Sequence, residues 1–145
     1  MPHLTLPIGQ GGPVLDIVIG VSQARQNALT ANKQPVPPSV RIRGLVDTGA
    51  SCTCVDPSIL ASLQLSPTGT TTMHTPSTGA SPGTANLYDA SIVLVHPQLS
   101  LTFFNQAVAE SVLAVQGIHA LIGRDILAKC LLTYDGQSKL FILAF

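Results

Sequence analysis

The stretch Val40-Arg41-Ile42-Arg43-Gly44-Leu45-Val46-Asp47-Thr48-Gly49-Ala50-Ser51 decides the fold. Its first half alternates apolar and charged side chains, the period of a strand with one wet face. It then runs through an apolar end straight into Asp47-Thr48-Gly49. A carboxylate at the end of a buried strand, beside a glycine free to take an unusual backbone conformation, is held in a turn and presented in a cleft. The Thr48 hydroxyl can donate and accept hydrogen bonds that lock such a turn. The tripeptide alone is weak, since chance places a given one in a chain of this size roughly 2% of the time. The setting is stronger: an apolar strand, Asp-Thr-Gly-Ala-Ser, then β-type residues.

Working outward, Cys52–Val55 is a short apolar segment, followed by a well-marked helix start. Asp56 is an N-cap residue and Pro57 stands at the first helical position, where its missing N–H costs nothing. Ile59, Leu60 and Leu63 supply the buried stripe of a helix ending near Leu65. Upstream, Val14–Ile19 reads as the first strand. The segment 22–39 is polar, ends in Pro35-Val36-Pro37-Pro38, and reads as a surface loop insertion with room for a helical turn around Ala24–Leu29. Downstream, 66–86 is rich in Ser, Thr, Gly and Pro and precedes a strand at Leu87–Leu94, the composition of a mobile hairpin (70–88) between two strands. Further strands are expected at Leu99–Phe104 and Ser111–Val115. The apolar run Ile118–Ile122 halts at Gly123, Arg124–Cys130 is a short helix, and Leu131–Tyr134 with Leu140–Phe145 closes the chain as a hairpin around Asp135-Gly136. Many short strands and two short helices make one mainly β domain spanning residues 1–145.

Composition narrows the function. The chain has 145 residues, 46% of them apolar and 10% charged, with seven basic against seven acidic side chains. Zero net charge and no basic cluster argue against nucleic-acid binding, which rests on counterion release by Lys and Arg. No apolar stretch reaches the ~18 residues of a membrane helix, and the first twelve residues carry no Lys or Arg, so neither membrane nor secretory signal is expected. Cys52, Cys54 and Cys130 form an odd set that suits a reducing, cytoplasmic compartment better than a disulfide framework. Cys52 and Cys54 without a matching pair make a poor zinc site and read as small buried hydrophobes. His3, His74, His96 and His119 are scattered, with no His-x-x-x-His spacing, and read as surface or satisfied core residues. No metal or cofactor is called for.

A second motif, Ala120-Leu121-Ile122-Gly123-Arg124-Asp125-Ile126-Leu127, joins an apolar run to the short helix. Together, apolar-Asp-Thr-Gly-Ala-Ser and apolar-apolar-Gly-Arg-Asp-apolar-Leu resemble the retropepsins, the retroviral-type aspartic proteases, from about Val14 to Phe145 and in the family's order. The helix from Asp56 places the chain nearer to bacterial and cellular members than to the compact viral enzymes. The resemblance implies a closed, mostly antiparallel β barrel that is half an enzyme. Only one Asp-Thr-Gly loop is present, and Asp135-Gly136 lacks the Thr, so a two-fold homodimer is expected to pair two Asp47 carboxylates.

The resemblance further implies that Asp47, Thr48 and Gly49 are catalytic, Thr48 tying two active-site loops together and Gly49 offering its carbonyl to a peptide substrate. Ala50, Ser51 and Cys52 are expected to line the cleft, with Leu121 in a side-chain pocket. Thr75, Pro76, Ser77, Thr78 and Gly79 are expected to form the flap tip over an extended peptide. Gly123, Arg124 and Asp125 are expected to be structural. The expected activity is endopeptidase cleavage of a peptide or protein by a water activated between two carboxylates. The alternative is a silent peptide-binding or dimerisation module of the same fold. The closing strand Leu140–Phe145 carries enough apolar residues to suggest a place at the dimer interface.

Overall fold

The computed structural model describes residues 1–74 and 81–145, and its core is a barrel that begins with β2 (Val14–Val21) and β3 (Val40–Val46). These pair antiparallel from Val14↔Leu45 to Ile19↔Val40. Leu15, Ile17 and Ile19 of β2 face Ile42 and Val46 of β3 in the interior, whereas Asp16, Arg41 and Arg43 stay outside. That is the period-two alternation of a sheet with one buried face. Gly44 sits where a β-carbon would meet Ile122 Cδ1 at 3.0 Å, so the small residue lets two strands close up.

Strand β8 (Ala120–Ile122) lies parallel to β3, and β4 (Cys54–Val55) lies antiparallel to β8 on its other side. Next come β7 (Leu101–Glu110), parallel to β4, and β6 (Gly83–Leu94), antiparallel to β7. Strand β6 then pairs with β2, from Ile17↔Leu94 to Val21↔Ala90, and closes a six-stranded barrel. Four of its pairings are antiparallel and two parallel. The parallel ones are β3 with β8, which slots between β3 and β4 after a long excursion of the chain, and β4 with β7. Outside the ring, β5 (Gly69–Met73) pairs with the first half of β6, Gly69↔Leu87 to Met73↔Gly83, making the expected hairpin. The tip residues Thr75, Pro76, Ser77, Thr78 and Gly79 lie outside the described residues.

A second sheet carries both chain ends: β1 (His3–Pro7), β10 (Leu140–Ala144) and β9 (Leu131–Asp135), all antiparallel. Phe141 and Leu143 of β10 are fully buried against the barrel. Both edges of β10 are used within the chain, so pairing with a second copy through this strand's edge is closed off; among the described residues β1 and β9 are the edge strands of this sheet. The outer face keeps Leu131, Leu140 and Ile142 exposed, and Tyr134, which pairs with Phe141 on the other face, is exposed as well.

Several local readings change. Half of the 22–39 loop is a third helix, α1 (Gln23–Ala31), capped by the Ser22 hydroxyl accepting from Arg25 N at 3.1 Å. Its one buried side chain is Leu29, and Asn105 of β7 accepts from Ala24 N. Helix α2 (Pro57–Ser62) starts where Asp56-Pro57 predicts and stops at the Leu63 cap, two residues early. Helix α3 (Arg124–Leu127) is a single turn rather than a helix to Cys130. The expected strand at Ser111–Val115 is absent: β7 already runs to Glu110, and Ala114–Gln116 is a 3-10 turn closed by Gly117 at φ 76°. The Asp56 carboxylate takes the amides of Leu113 and Ala114, both at 2.8 Å, which removes them from any ladder.

Candidate active site

Asp47 leaves the end of β3 with its backbone N–H still on the barrel, donating to Ile122 O at 3.0 Å. The chain then turns at once. Ala50 N donates to Asp47 O at 3.2 Å, and Gly49 N donates to the Asp47 side-chain Oδ1 at 2.8 Å. Gly49 achieves this without a left-handed backbone; a β-carbon there would stand 3.1 Å from Asp47 Oδ1 and press on that carboxylate. The sequence reading is corrected on that point. It is also corrected on Thr48, whose hydroxyl is expected to lock the turn: among the described residues Thr48 bonds only through its carbonyl, and its side chain is exposed.

The turn is held instead from α3. Arg124 donates its backbone N to Ala50 O and its guanidinium Nη1 to Thr48 O, both at 2.9 Å. Gly123 packs so tightly that a β-carbon would fall 2.5 Å from the Cys52 carbonyl carbon and 2.8 Å from Thr53 N. Asp125 completes the brace. Its Oδ1 accepts from the Thr53 hydroxyl at 2.7 Å and from Ile126 N at 2.9 Å; its Oδ2 accepts from Thr53 N and Gln106 Nε2, both at 3.0 Å. Thr53 is fully buried, and its hydroxyl also accepts from Gly123 N at 3.1 Å. Gly123, Arg124 and Asp125 thus all contact the segment from Thr48 to Thr53.

Over the turn opens a cleft of about 600 Å³. Asp47, Gly49, Ala50, Ser51, Cys52 and Leu121 line it, so the structure brings these expected residues together, whereas Thr48 is not among the lining residues. The sequence reading missed the opposite wall, Thr71, Thr72, Met73 and His74, which β5 folds over the cleft. His74 is exposed, as a surface histidine is expected to be, and it also lines the cleft. Cys54 also lines the cleft, although only 2% exposed. Period-two spacing from Cys52 is the signal that would have found it. Burial first, then the neighbouring Cys52, Asp125 and Asp47, push the Cys54 thiol up to about 12. Among the described residues no group of three His, Cys, Asp or Glu could hold a metal ion.

Two polar groups stand apart from the cleft. The Asp56 carboxyl is buried, which opposes its charge, yet it sits well below the usual carboxylate range because Ser58, Leu113 and Ala114 all donate to it. His119 Nδ1 is buried without a partner among the described residues, so this side chain is not the satisfied core histidine expected.

No model of a known family matches the chain, and no curated protein matches it. Among solved structures, the crystal structure of a retropepsin-like aspartic protease from Rickettsia conorii is similar to it, with a TM-score of 0.58 over 99% of this chain and 90% of that one. The two are 19% identical. The overall fold is therefore retropepsin-like. Among the described residues no helix is long and apolar enough to cross a membrane.

Proposed function

We propose that two copies of this chain make one aspartic endopeptidase, with the Asp47 of each copy forming the catalytic pair. The setting of Asp47 carries this reading. It is half-buried at the rim of a cleft of about 600 Å³, on a turn braced through Gly49 and Arg124, and it has one oxygen tethered to an amide. The chain has one such loop, and hydrolysis by an aspartate pair needs two, which is the argument for the second copy. The exposed Thr48 hydroxyl and the apolar outer face of the β1–β10–β9 sheet are groups that a second copy would cover.

In the assembled pair, two carboxylates close together cannot both ionise comfortably, so they share a proton and titrate as a unit, as is general for aspartic proteases. The ionised member takes a proton from water, and the oxygen of that water attacks the scissile carbonyl. The protonated member stabilises the developing oxyanion and then supplies the leaving amine with its proton. Gly49 O and the β5–β6 hairpin would hold an extended peptide by main-chain hydrogen bonds, as an added strand. Ala50, Ser51, Cys52 and Leu121 make the floor less charged than a carboxylate-lined one, which favours apolar side chains in the substrate. Thr75–Gly79 remain the proposed flap tip.

The test is cleavage of a peptide library read by mass spectrometry between about pH 4 and 7, with wild type and Asp47→Asn side by side. Wild type alone should cut, with the variant reduced about 10³-fold or more. Equal cleavage by both would remove Asp47 from the chemistry. Peptide bound without turnover by folded wild-type dimer would replace the enzyme with a binding module. Sedimentation should find the active species dimeric; an active monomer would overturn the half-site argument.

A further inference from the structure

The mechanism above makes no use of the two thiols in the cleft. Cys52 and Cys54 lie two residues apart, point to the same cavity as Asp47, and are both free. They differ in access: Cys52 is half-buried, whereas Cys54 is 2% exposed and its sulfur rests 3.7 Å from the Cys52 carbonyl. The remaining thiol, Cys130, lies outside the cleft, half-buried with its sulfur 3.7 Å from Ile126 O. One sulfur is therefore presented to whatever enters the cleft, with a second thiol behind it.

We propose that Cys52 is a thiol-exchange site that takes up small-molecule disulfides and closes the cleft with the adduct. The site stands on the geometry of the cleft; that its occupation silences an enzyme rests on the endopeptidase reading. In the step, Cys52 loses its proton to solvent and its thiolate attacks one sulfur of the disulfide. A new sulfur–sulfur bond forms to Cys52, and the incoming sulfur–sulfur bond breaks. The departing sulfur keeps the electron pair and becomes a free thiol on taking a proton. The small disulfide is the oxidant, so nothing else is needed. Cys54 would ordinarily expel such an adduct by attacking Cys52 in turn. Here it is buried in an apolar floor that keeps it protonated, and only thiolates attack, so the mixed disulfide persists. A peptide-sized adduct then occupies the volume a substrate chain needs.

The experiment treats the whole protein with oxidised glutathione and maps the adduct by mass spectrometry, in wild type, Cys52→Ala, Cys54→Ala, Cys130→Ala and Asp47→Asn. One adduct per chain is expected, on Cys52, in every variant except Cys52→Ala, and dithiothreitol should remove it. Asp47→Asn separates the two readings, since it should take the adduct although it cuts nothing. In wild type, treated protein should cleave about tenfold more slowly or less than untreated protein, because adduct and substrate compete for one space. The treated-to-untreated ratio should stay near one in Cys52→Ala. Modification of Cys130 in place of Cys52, or loss of two hydrogens as Cys52 and Cys54 join, would overturn the proposal. So would an adduct on Cys52 that leaves cleavage untouched.

Discussion

Asp47 accepts one hydrogen bond within its chain among the described residues, from Gly49 N, while Asp125, in α3, accepts four, from Thr53 twice, Gln106 and Ile126. The same kind of group thus appears in two opposite settings on segments that hydrogen bonds tie together. At Asp125 every lone-pair direction is filled by a donor, and the group acts as a fixed joint between α3, β7 and the segment entering β4. At Asp47 one oxygen is steadied and the rest of the group faces the cleft. A carboxylate already saturated by donors has little left for chemistry, and one left open contributes little to folding. The difference teaches how the fold separates the two tasks: the brace at Gly123–Asp125 gives rigidity so that the turn at Asp47–Ala50 can keep its carboxylate free.

The sharpest way to break this contrast is Asp125→Ala. It would leave Thr53 N, the buried Thr53 hydroxyl and Gln106 Nε2 without their acceptor, and unmade bonds of this kind each cost about 1–3 kcal/mol. Part of that loss is relieved by water and rearrangement, so we expect about 3–4 kcal/mol off the unfolding free energy in urea. A loss below 1 kcal/mol would mean that the brace is ornamental and that the turn at Asp47 stands alone. Gly123→Ala follows in size. Its β-carbon would collide with the Cys52 carbonyl and Thr53 N, backbone atoms that cannot swing aside, at about 2–3 kcal/mol. Its readout also sharpens the comparison, because the shift moves the Cys52–Thr53 strand entry and should weaken substrate binding in whatever protein still folds.

A third carboxylate extends the contrast into pH. Asp56 caps α2 and accepts from Ser58 N and Oγ with one oxygen and from Leu113 N and Ala114 N with the other, at 2.6–2.9 Å. Its folded pKa lies below the unfolded value near 3.9, so it stabilises the protein above that pH and the contribution fades as pH falls through the folded value. Thermal stability should therefore fall below about pH 5. Asp56→Asn should cost about 2 kcal/mol at pH 7, because its amide turns donors toward the donors of Leu113 and Ala114. The gap between variant and wild type should narrow toward pH 3. Asp135, held low mainly by Ser138, titrates alike in both proteins and cancels from the difference. A gap that is constant with pH would show that Asp56 acts by shape alone.

Much of this was legible in the sequence, and what was not has a common cause. The alternation of Leu15, Ile17 and Ile19, the strand into Asp47-Thr48-Gly49, Asp56-Pro57 and Gly123-Arg124-Asp125 are local signals, and each element formed where local physics puts it. Strand β1 went unread because Leu4 and Leu6 gain their burial only by pairing with β10 at the opposite end of the chain. Helix α1 went unread because a single leucine anchors it. Ser111–Val115 has strand-like residues, but a carboxylate far away in sequence claims its amides. The cleft shows the same divide. Asp47 through Cys52 are contiguous and were found, whereas Met73 and His74 reach the cleft only through the folding back of a hairpin, and Thr53 matters only because Asp125 meets it.

The smallest expected effect is the one that isolates the open side of the comparison. Asp47→Asn preserves an oxygen where Oδ1 accepts from Gly49 N, adds no volume, and faces its new amide toward the cleft rather than toward a buried donor. Its stability should change by less than about 0.5 kcal/mol, a shift of about 2–3 °C or less in Tm for a domain of this size. Activity, by contrast, should vanish. The pairing of a large kinetic loss with an unmoved Tm is what distinguishes a carboxylate kept for chemistry from one consumed by structure. Were Tm to fall by 8 °C or so, as Asp125→Ala predicts for its own site, Asp47 would be a second structural joint, and the division of labour between the two segments would collapse.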